Sequence, residues 1–261
     1  MPLNMNTFQT DIRLNVLHVR FGERHRQSTM QDSWFQDFEQ VLRYAATDPV
    51  IRCIHLSSEG KYFCSGGDLQ AFLDGPFPNG VMNSALASCL RCLEDFDKPI
   101  VALVHGAAIG AGATLLLHCD FVYSDPATTF QFPFTQIGVV PELGSTWLLP
   151  LLVGQRLATE LLLLGQPFDA AVAQRAGIVN EVLARSDLEE RGTQTVRALA
   201  ELAPSALRST KRLLKQAQRQ NYAQAWRDEC LALERCFERD EVKEACSAIL
   251  AKRKPDFSPC S

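Results

Sequence analysis

Two glycine-rich turns are the places in this 261-residue sequence where the backbone itself could do chemistry. The first is SGGDL at residues 65–69, and the second is GAAIGAG at residues 106–112. Each follows an apolar run typical of a buried strand and precedes a stretch with helical periodicity. Such a turn leaves free N–H groups at a helix start, where they can donate to an oxygen that carries negative charge. Two such turns brought together would form an oxyanion hole.

Neither turn matches a nucleotide-binding motif. GAAIGAG lacks the G-x-G-x-x-G spacing, no acidic residue follows at the distance that a ribose contact requires, and there is no Walker lysine. Each turn by itself also has a plainer interpretation: SGGDL as a tight turn without a ligand, and GAAIGAG as close packing of a helix on a strand.

The sequence gives little sign of a nucleophile or of a metal site. No base is paired with Ser65 or Cys64 in the sequence pattern, so nucleophilic catalysis is not expected. Cys89 and Cys92 form a lone C-x-x-C pair, with no second pair nearby and no Cys-His cluster to complete a zinc site. We therefore expect two cysteines on a helix face and no metal.

The elements that must position these turns alternate between strand and helix patterns. Residues 11–20 alternate apolar and polar side chains and predict one half-exposed strand, and 32–49 have the helical period. The strands expected after that are 50–58 and 100–106, with a helix before Pro99. This alternation predicts an α/β fold. After Gly144 nearly every segment is helical, and the charged tail beyond Pro204 is expected to pack on the core or on another subunit.

Composition excludes several classes of partner. The net charge of −4 and the pI near 5.8 give no broad basic field, so nucleic acid is not an expected partner. Nine cysteines, an odd number spread along the chain, favour reduced thiols in a cytoplasmic protein. The amino terminus does not read as a signal peptide. Residues 99–119 are long and apolar enough to span a bilayer, but their glycine-rich centre argues against one continuous helix, so no membrane is expected.

Six segments in order resemble the enoyl-CoA hydratase/isomerase, or crotonase-like, superfamily. They are RHRQSTM, KYFCSGGDL, KPIVALVHGAAIGAGATLLLHCDFVYS, TTFQFPFTQIGVVPELGSTWLLPLLVG, FDAAVAQRAGIVNEV and FERDEVKEACSAILAKRKPDF. The resemblance implies a crotonase-like spiral of ββα units, over residues 1–200, that holds an acyl-CoA site. It also implies a helical carboxy-terminal region, 201–261, that drives formation of a homotrimer or homohexamer. The implied ligand is an acyl-CoA thioester, so coenzyme A enters with the substrate and no separate cofactor is expected.

The resemblance also assigns residues around the ligand. The amides that would bind the thioester oxygen are those of Gly67 and Ala111, and Asp68 would begin the next helix as a capping acid beside the ligand. Lys61 and Ser65 belong to the same segment and are included in the expected binding set.

Basic residues at both ends of the chain complete that set. His25 and Arg26 would meet the CoA phosphates, and Lys252 or Arg253 would reach the nucleotide end of a neighbouring subunit's ligand. Solvated surface charge is the open alternative for each of them.

The acids bear on which reaction the chain carries out. A hydratase-like member has two glutamates, at the positions that Thr114 and Phe134 occupy here, so the resemblance points away from simple hydration. Glu142, in GVVPELGSTW, resembles the acid of the monofunctional Δ3-Δ2-enoyl-CoA isomerases and of the ring-opening isomerases of phenylacetate degradation. One carboxylate suffices to remove a proton at C2 and return it at C4. A variant hydratase or hydrolase, and an acyl-CoA-binding scaffold without turnover, remain open, as does a helix-capping role for Glu142.

Side chains near Glu142 and the second turn are expected to be buried. An apolar group is expected to surround the carboxylate and raise its basicity: Phe132, Phe134, Val139, Val140 and Leu143. His105 and His118, which flank the second turn, are predicted to be hydrogen-bonded core histidines.

Overall fold

The computed structural model describes residues 5, 7–22, 30–75 and 77–260. The strands are β1 (Phe8–Arg13), β2 (Val16–Phe21), β3 (Cys53–Ser58), β4 (Ile100–Val104), β5 (Ala107–Ile109), β6 (Phe121–Ser124), β7 (Thr129–Gln131), β8 (Phe168–Asp169) and β9 (Glu181–Val182). The helices are α1 (Asp32–Thr47), α2 (Leu69–Asp74), α3 (Ala85–Asp95), α4 (Ala111–Leu116), α5 (Ser145–Val153), α6 (Gln155–Leu164), α7 (Ala170–Arg175), α8 (Leu188–Glu201), α9 (Pro204–Gln216), α10 (Arg219–Phe237) and α11 (Asp240–Leu250). Short 3-10 turns lie at Val81–Asn83 and Phe134–Ile137.

The strands form two sheets that the chain visits in turn. The larger sheet has the order β1-β2-β3-β4-β6-β9, and the smaller has the order β5-β7-β8. In the larger sheet all neighbours are parallel except β1 and β2. After β4 and after β6 the chain passes directly to a strand of the smaller sheet and then into a helix or helical turn. This is the spiral of ββα units, and it confirms the predicted α/β class.

The two faces of the larger sheet are covered by different helices. Because side chains alternate along a strand, Ile54 and Leu56 of β3 face the main core, which α1 and α3 share, and Cys53 faces the other side. Helix α8 covers that second face, where Gly192 packs so closely on His55 that a Cβ would lie 2.9 Å from its Nε2.

The prediction of one strand over residues 11–20 is wrong. The segment is a hairpin in which β1 and β2 pair antiparallel, with Arg13 opposite Val16. Leu14 and Asn15 form the turn with φ of 49° and 63°, the left-handed conformation that two-residue hairpins need. The turn contains no glycine, so the sequence gives no sign of a break, and the alternation of apolar and polar residues runs on through both strands.

The carboxy-terminal helices return to the body of the same chain. Helix α10 contacts α5 and the 81–83 turn, and α11 contacts α2 and the 134–137 turn. The expectation that the tail packs on the core is thus confirmed for these two helices. Helix α9 leaves Leu213 and Leu214 66% and 74% exposed.

The apolar segment 99–119 is divided among β4, β5 and α4, as its glycines predicted. Within the described ranges, no helix is both long enough and apolar enough to cross a membrane. All nine cysteines are free thiols. The cytoplasmic location and the division at residue 200 stay predictions.

Candidate active site

The two glycine turns lie side by side at the ends of their strands. Cys64 and Ala108 form a parallel bridge, in which the Cys64 amide donates to the Ala107 carbonyl at 2.9 Å and the Ile109 amide donates to the Cys64 carbonyl at 3.0 Å. Gly66 has φ of 94°, and a Cβ there would lie 3.2 Å from the Ile109 carbonyl oxygen. Glycine therefore permits both the left-handed backbone and the close approach of the turns.

Gly67 and Ala111 both line one cavity of about 640 Å³. Ala111 is the first residue of α4, and Gly67 precedes Asp68, the cap of α2. The backbone amides of Gly67 and Ala111 donate no hydrogen bond to another group of the described chain. A Cβ on Gly67 would lie 2.7 Å from the tip of the Phe72 ring, so a larger residue would need that ring to move.

Cys64 fills the space between the turns. Its buried sulfur accepts the Gly66 N–H at 3.4 Å, and a Cβ on Gly112 would lie only 2.8 Å from it. Burial raises the pKa of this thiol to about 12, so it is not a nucleophile at neutral pH. This agrees with the expectation from the sequence that Cys64 is not a nucleophile, and it indicates a packing role.

Glu142 is a buried acid of the same cavity lining. It is 8% exposed, and its Oε1 accepts a 2.6 Å hydrogen bond from the Thr114 hydroxyl. Its Oε2 is buried without a hydrogen-bond partner among the described residues. Burial raises the pKa of Glu142 to about 8; the Thr114 hydrogen bond opposes that rise, and the charge of Glu229 adds to it. The pKa of Glu142 is therefore raised, as expected from the apolar residues around it in the sequence.

Thr114 links Glu142 to the second turn. It lies three residues after Ala111 on α4, less than one helical turn along the axis. The carboxylate that Thr114 holds is therefore next to the helix start that carries the Ala111 amide.

The apolar side chains expected around Glu142 divide into two groups. Phe134, Val139 and Val140 line the cavity. Leu143 is buried outside the lining, and Phe132 is buried against Phe168, with ring centroids 5.9 Å apart.

The turn that carries Glu142 is held from two sides. Leu143 and Gly144 have φ of 56° and 70°, and a Cβ on Gly144 would lie 2.3 Å from the Tyr222 ring. His118 is half-buried and bonds to the Leu143 carbonyl at 2.8 Å, so its predicted hydrogen bond is confirmed. His105 likewise bonds to the Gly60 carbonyl at 2.9 Å.

Glu229 of α10 anchors the other side of this turn and was missed from the sequence. Its carboxylate accepts from the Gly144 amide at 2.7 Å, the Thr146 amide at 2.8 Å and the Thr146 hydroxyl at 2.6 Å. It thus caps α5, so the alternative that Glu142 is the capping acid is wrong. Burial raises the pKa of Glu229 to about 7. In the sequence, Glu229 is one of many charged residues of its helix, so nothing there indicates its contact with the turn before α5.

The first turn places Asp68 and Ser65 in the cavity lining. Asp68 caps α2 as predicted, accepting from the amides of Gln70 and Ala71 at 2.9 and 3.4 Å. Its second oxygen accepts from Gln31 at 2.7 Å.

Of the predicted basic residues, the three that the structure describes do not line this cavity. Lys61 is exposed, with Nζ 4.9 Å from the centroid of the Tyr62 ring, and Lys252 is exposed after α11. Arg253 pairs with Glu244 at 2.8 Å. His25 and Arg26 lie outside the described residues. Their roles in ligand binding stay predictions.

Over the described ranges, no group of three or more His, Cys, Asp or Glu side chains is arranged to hold a metal ion.

Comparison with known proteins identifies the family. The enoyl-CoA hydratase/isomerase family profile matches residues 11–259. The chain is 30% identical over 244 residues to enoyl-CoA delta isomerase 2 of Homo sapiens, covering 91% of this chain but only 61% of that protein. It is 30% identical over 264 residues to 1,2-epoxyphenylacetyl-CoA isomerase of Escherichia coli (strain K12), covering 97% of this chain and 99% of that protein. Relatives named as hydratases match at similar identity.

A solved structure extends the likeness to the fold. The crystal structure of an enoyl-CoA hydratase/isomerase from Pseudoalteromonas atlantica T6c is 30% identical, with a TM-score of 0.90 over 97% of this chain and 100% of that chain. The predicted crotonase-like fold is therefore confirmed. With the profile, the relatives and the fold in agreement, the chain belongs to the enoyl-CoA hydratase/isomerase family.

Proposed function

We propose that the protein is an enoyl-CoA isomerase that moves a double bond from C3=C4 to C2=C3 of an acyl-CoA thioester. The observation that supports this most is the carboxylate of Glu142, the one buried acid in the described lining of the cavity, which has one oxygen held by Thr114 and the other unpartnered within the described chain. Of the other acids that line the cavity, Asp32 is exposed and Asp68 caps α2. One base without a second acid suits a proton shift better than the addition of water.

In the first step, the ionised carboxylate of Glu142 removes a proton from C2. The C–H bond breaks, an O–H bond forms on Glu142, and the electron pair moves into the thioester carbonyl to give a dienolate. The amides of Gly67 and Ala111 would donate to the enolate oxygen, and each well-placed donor of this kind contributes about 10²- to 10³-fold to the rate.

In the second step, Glu142 returns the proton to C4. The O–H bond breaks, the C4–H bond forms, and the electrons regenerate the carbonyl with the double bond between C2 and C3. Glu142 is again ionised, and no cofactor beyond the CoA of the substrate takes part.

Hydration is the reaction that the relatives named as hydratases suggest. It needs a water molecule held and activated, which in hydratase-like members is the work of two glutamates; here Thr114 and Phe134 occupy those positions. A second candidate is the isomerisation of an aromatic-derived thioester, favoured by the E. coli relative and by the phenylalanines of the lining: Phe35, Phe72, Phe77, Phe134 and Phe237.

A panel of acyl-CoA substrates separates these functions. Isomerisation of 3-enoyl-CoA leaves the mass unchanged and creates the absorbance of a conjugated thioester, whereas hydration of 2-enoyl-CoA adds the mass of water. Hydrolysis releases free CoA. If the protein binds every thioester and converts none, it is a binding scaffold and the proposal is wrong.

Glu142→Gln tests the base directly. The substitution keeps the size of the side chain but removes the base, so a 3-enoyl-CoA should still bind while its conversion falls by about 10²- to 10⁴-fold. In deuterated water, the wild type should place deuterium at C2 or C4 if the proton on Glu142 exchanges with solvent before its return, and the variant should not. A Gln variant that isomerises at nearly the wild-type rate would remove Glu142 from the mechanism.

A homotrimer or homohexamer is also part of this proposal. The family resemblance supports it, as do the exposed leucines of α9, Leu213 and Leu214.

A further inference from the structure

The Thr114 hydroxyl lies between the carboxylate of Glu142 and the start of α4. Its Oγ1 is 2.6 Å from Glu142 Oε1, 3.3 Å from the Gly110 carbonyl oxygen and 3.2 Å from the Ala111 carbonyl oxygen. Thr114 is fully buried. A hydroxyl has one proton to donate, so only one of these three oxygens can receive it at a time.

The carboxylate is the strongest acceptor of the three. A hydrogen bond to an ionised oxygen is shorter and about twice as strong as one to a neutral carbonyl, and the shortest distance here is the one to Glu142. When Glu142 is ionised, the Thr114 proton therefore points to Oε1.

The two oxygens of Glu142 are consequently unequal. Oε1 has a partner, whereas Oε2 is buried and has none among the described residues. The hydrogen bond that Oε1 accepts makes protonation of that oxygen less favourable, whereas no donor of the described chain competes for Oε2, and protonation there removes the buried charge. Oε2 is therefore the oxygen on which a transferred proton is best accommodated.

We propose that Thr114 is a positioning residue for the isomerisation, because its hydroxyl holds Oε1 of Glu142 and leaves Oε2 to take the proton from C2 and return it to C4. This proposal rests on the function proposed above. It also gives a reason for threonine where a hydratase-like member has glutamate. Two carboxylates at this distance would share a proton and titrate together, whereas a hydroxyl leaves one acid with one pKa.

The decisive variants are Thr114→Val, which keeps the branched shape and removes the hydroxyl, and Thr114→Ser, which keeps the hydroxyl. Thr128→Val is the matched control, since Thr128 is also buried and bonds to Asp125 at 3.0 Å, outside the cavity lining. We expect Thr114→Val to lower kcat for 3-enoyl-CoA by about 10- to 100-fold with little change in KM. Thr114→Ser should restore most of the rate, and Thr128→Val should retain it.

A second measurement does not depend on turnover. The protonation of Glu142 can be followed by infrared difference spectroscopy of the carboxyl band that Glu142→Gln abolishes. Since the Thr114 hydrogen bond lowers the pKa of Glu142, its loss in Thr114→Val should move that titration to higher pH, and Thr114→Ser should return it. If Thr114→Val only disturbed the packing of the site, it would lower the rate without shifting the titration of Glu142.

The outcomes separate the two proposals. If the wild type converts no 3-enoyl-CoA, the isomerase function fails, whatever the titration shows. If the wild type isomerises and Thr114→Val has the same kcat and the same Glu142 titration, the isomerase stands and the role of Thr114 is overturned. A slower Thr114→Val whose Glu142 titration is unchanged would also overturn it.

Discussion

At the scale of single residues, the site depends on a carboxylate that the fold makes a stronger base. An ordinary glutamate is ionised at neutral pH and is a weak base, whereas burial raises the pKa of Glu142 to about 8. The gain in basicity has a cost, because much of the free protein is protonated at pH 7. The same burial therefore predicts how the rate depends on pH.

We expect kcat/KM for a 3-enoyl-CoA to rise with pH up to a pKa of about 8, because the ionised base is the active form of the free enzyme. Below that pKa, the rate should rise about tenfold per pH unit, and above it the profile should flatten. Stopped-flow or steady-state assays between pH 6 and 9 measure this.

Glu229 titrates in the same range, with a pKa raised to about 7, so it needs a control. If the limb near pH 8 belongs to Glu142, it should persist in Glu229→Gln and move to lower pH, because the charge of Glu229 no longer raises the pKa of Glu142. A profile that is flat from pH 6 to 9, with the fold intact at each pH, would contradict the assignment.

At the scale of elements, helix starts carry the site. Helix α4 supplies the Ala111 amide and Thr114, and the turn before α5 supplies Glu142. Neither helix is capped by a side chain of its own cap residue. The start of α5 is instead satisfied by Glu229 from α10, so a carboxy-terminal helix fixes the position of the proposed base.

Ala111→Pro tests the helix start. Ala111 is the first residue of α4, a position where proline is tolerated, so the substitution removes one N–H with little expected damage to the helix. Turnover should fall by about 10²- to 10³-fold, and acyl-CoA affinity much less, because the enolate needs the donor more than the thioester does. Ala111→Ser, which keeps the amide, is the control. Equal losses of turnover and affinity, with an unchanged circular dichroism spectrum, would place the oxyanion hole elsewhere.

Glu229→Gln tests the anchor of α5. The amide group of Gln would turn an N–H donor toward the amides of Gly144 or Thr146, which are donors themselves. We expect the free energy of unfolding in urea to fall by about 1–3 kcal/mol, since a buried hydrogen bond to a charged acceptor is lost. Asp228→Asn, at the exposed neighbouring position on α10, should change it little. Equal stability of the two variants would refute the anchoring role.

At the scale of the whole molecule, the carboxy-terminal helices divide their surface between the chain's own core and the outside. Helix α11 packs on α2 and the 134–137 turn, which line the cavity, and α10 contributes Leu233 and Phe237 to the lining, whereas α9 leaves two adjacent leucines exposed. Single exposed leucines are ordinary on a protein surface, but an adjacent pair on an amphipathic helix favours a further contact.

We therefore expect a trimer or hexamer in solution, with α9 at or near a subunit contact. Light scattering at micromolar concentration measures the mass directly. Leu213→Glu together with Leu214→Glu should shift the mass toward the monomer, while the same change at exposed Leu14, in the β1–β2 turn, should not. A wild-type monomer at that concentration would contradict the prediction.

The sequence by itself determined the α/β class, the two glycine turns and the cap at Asp68. These features are local: periodicity, a positive φ and a capping contact two or three residues away are all written in neighbouring positions. Even so, the hairpin turn at Leu14 and Asn15 was not predicted, because it contains no glycine. The smaller sheet was not predicted either, since strands of two or three residues are too short to show a period.

Only the tertiary structure decided how the acids are used. Glu142 meets Thr114 across 28 positions of the chain, and Glu229 meets Gly144 across 85. Contacts of that range depend on how helices pack, which no local pattern records. The raised pKa of Glu142 has the same origin, because desolvation is a property of the completed core and not of the segment PEL.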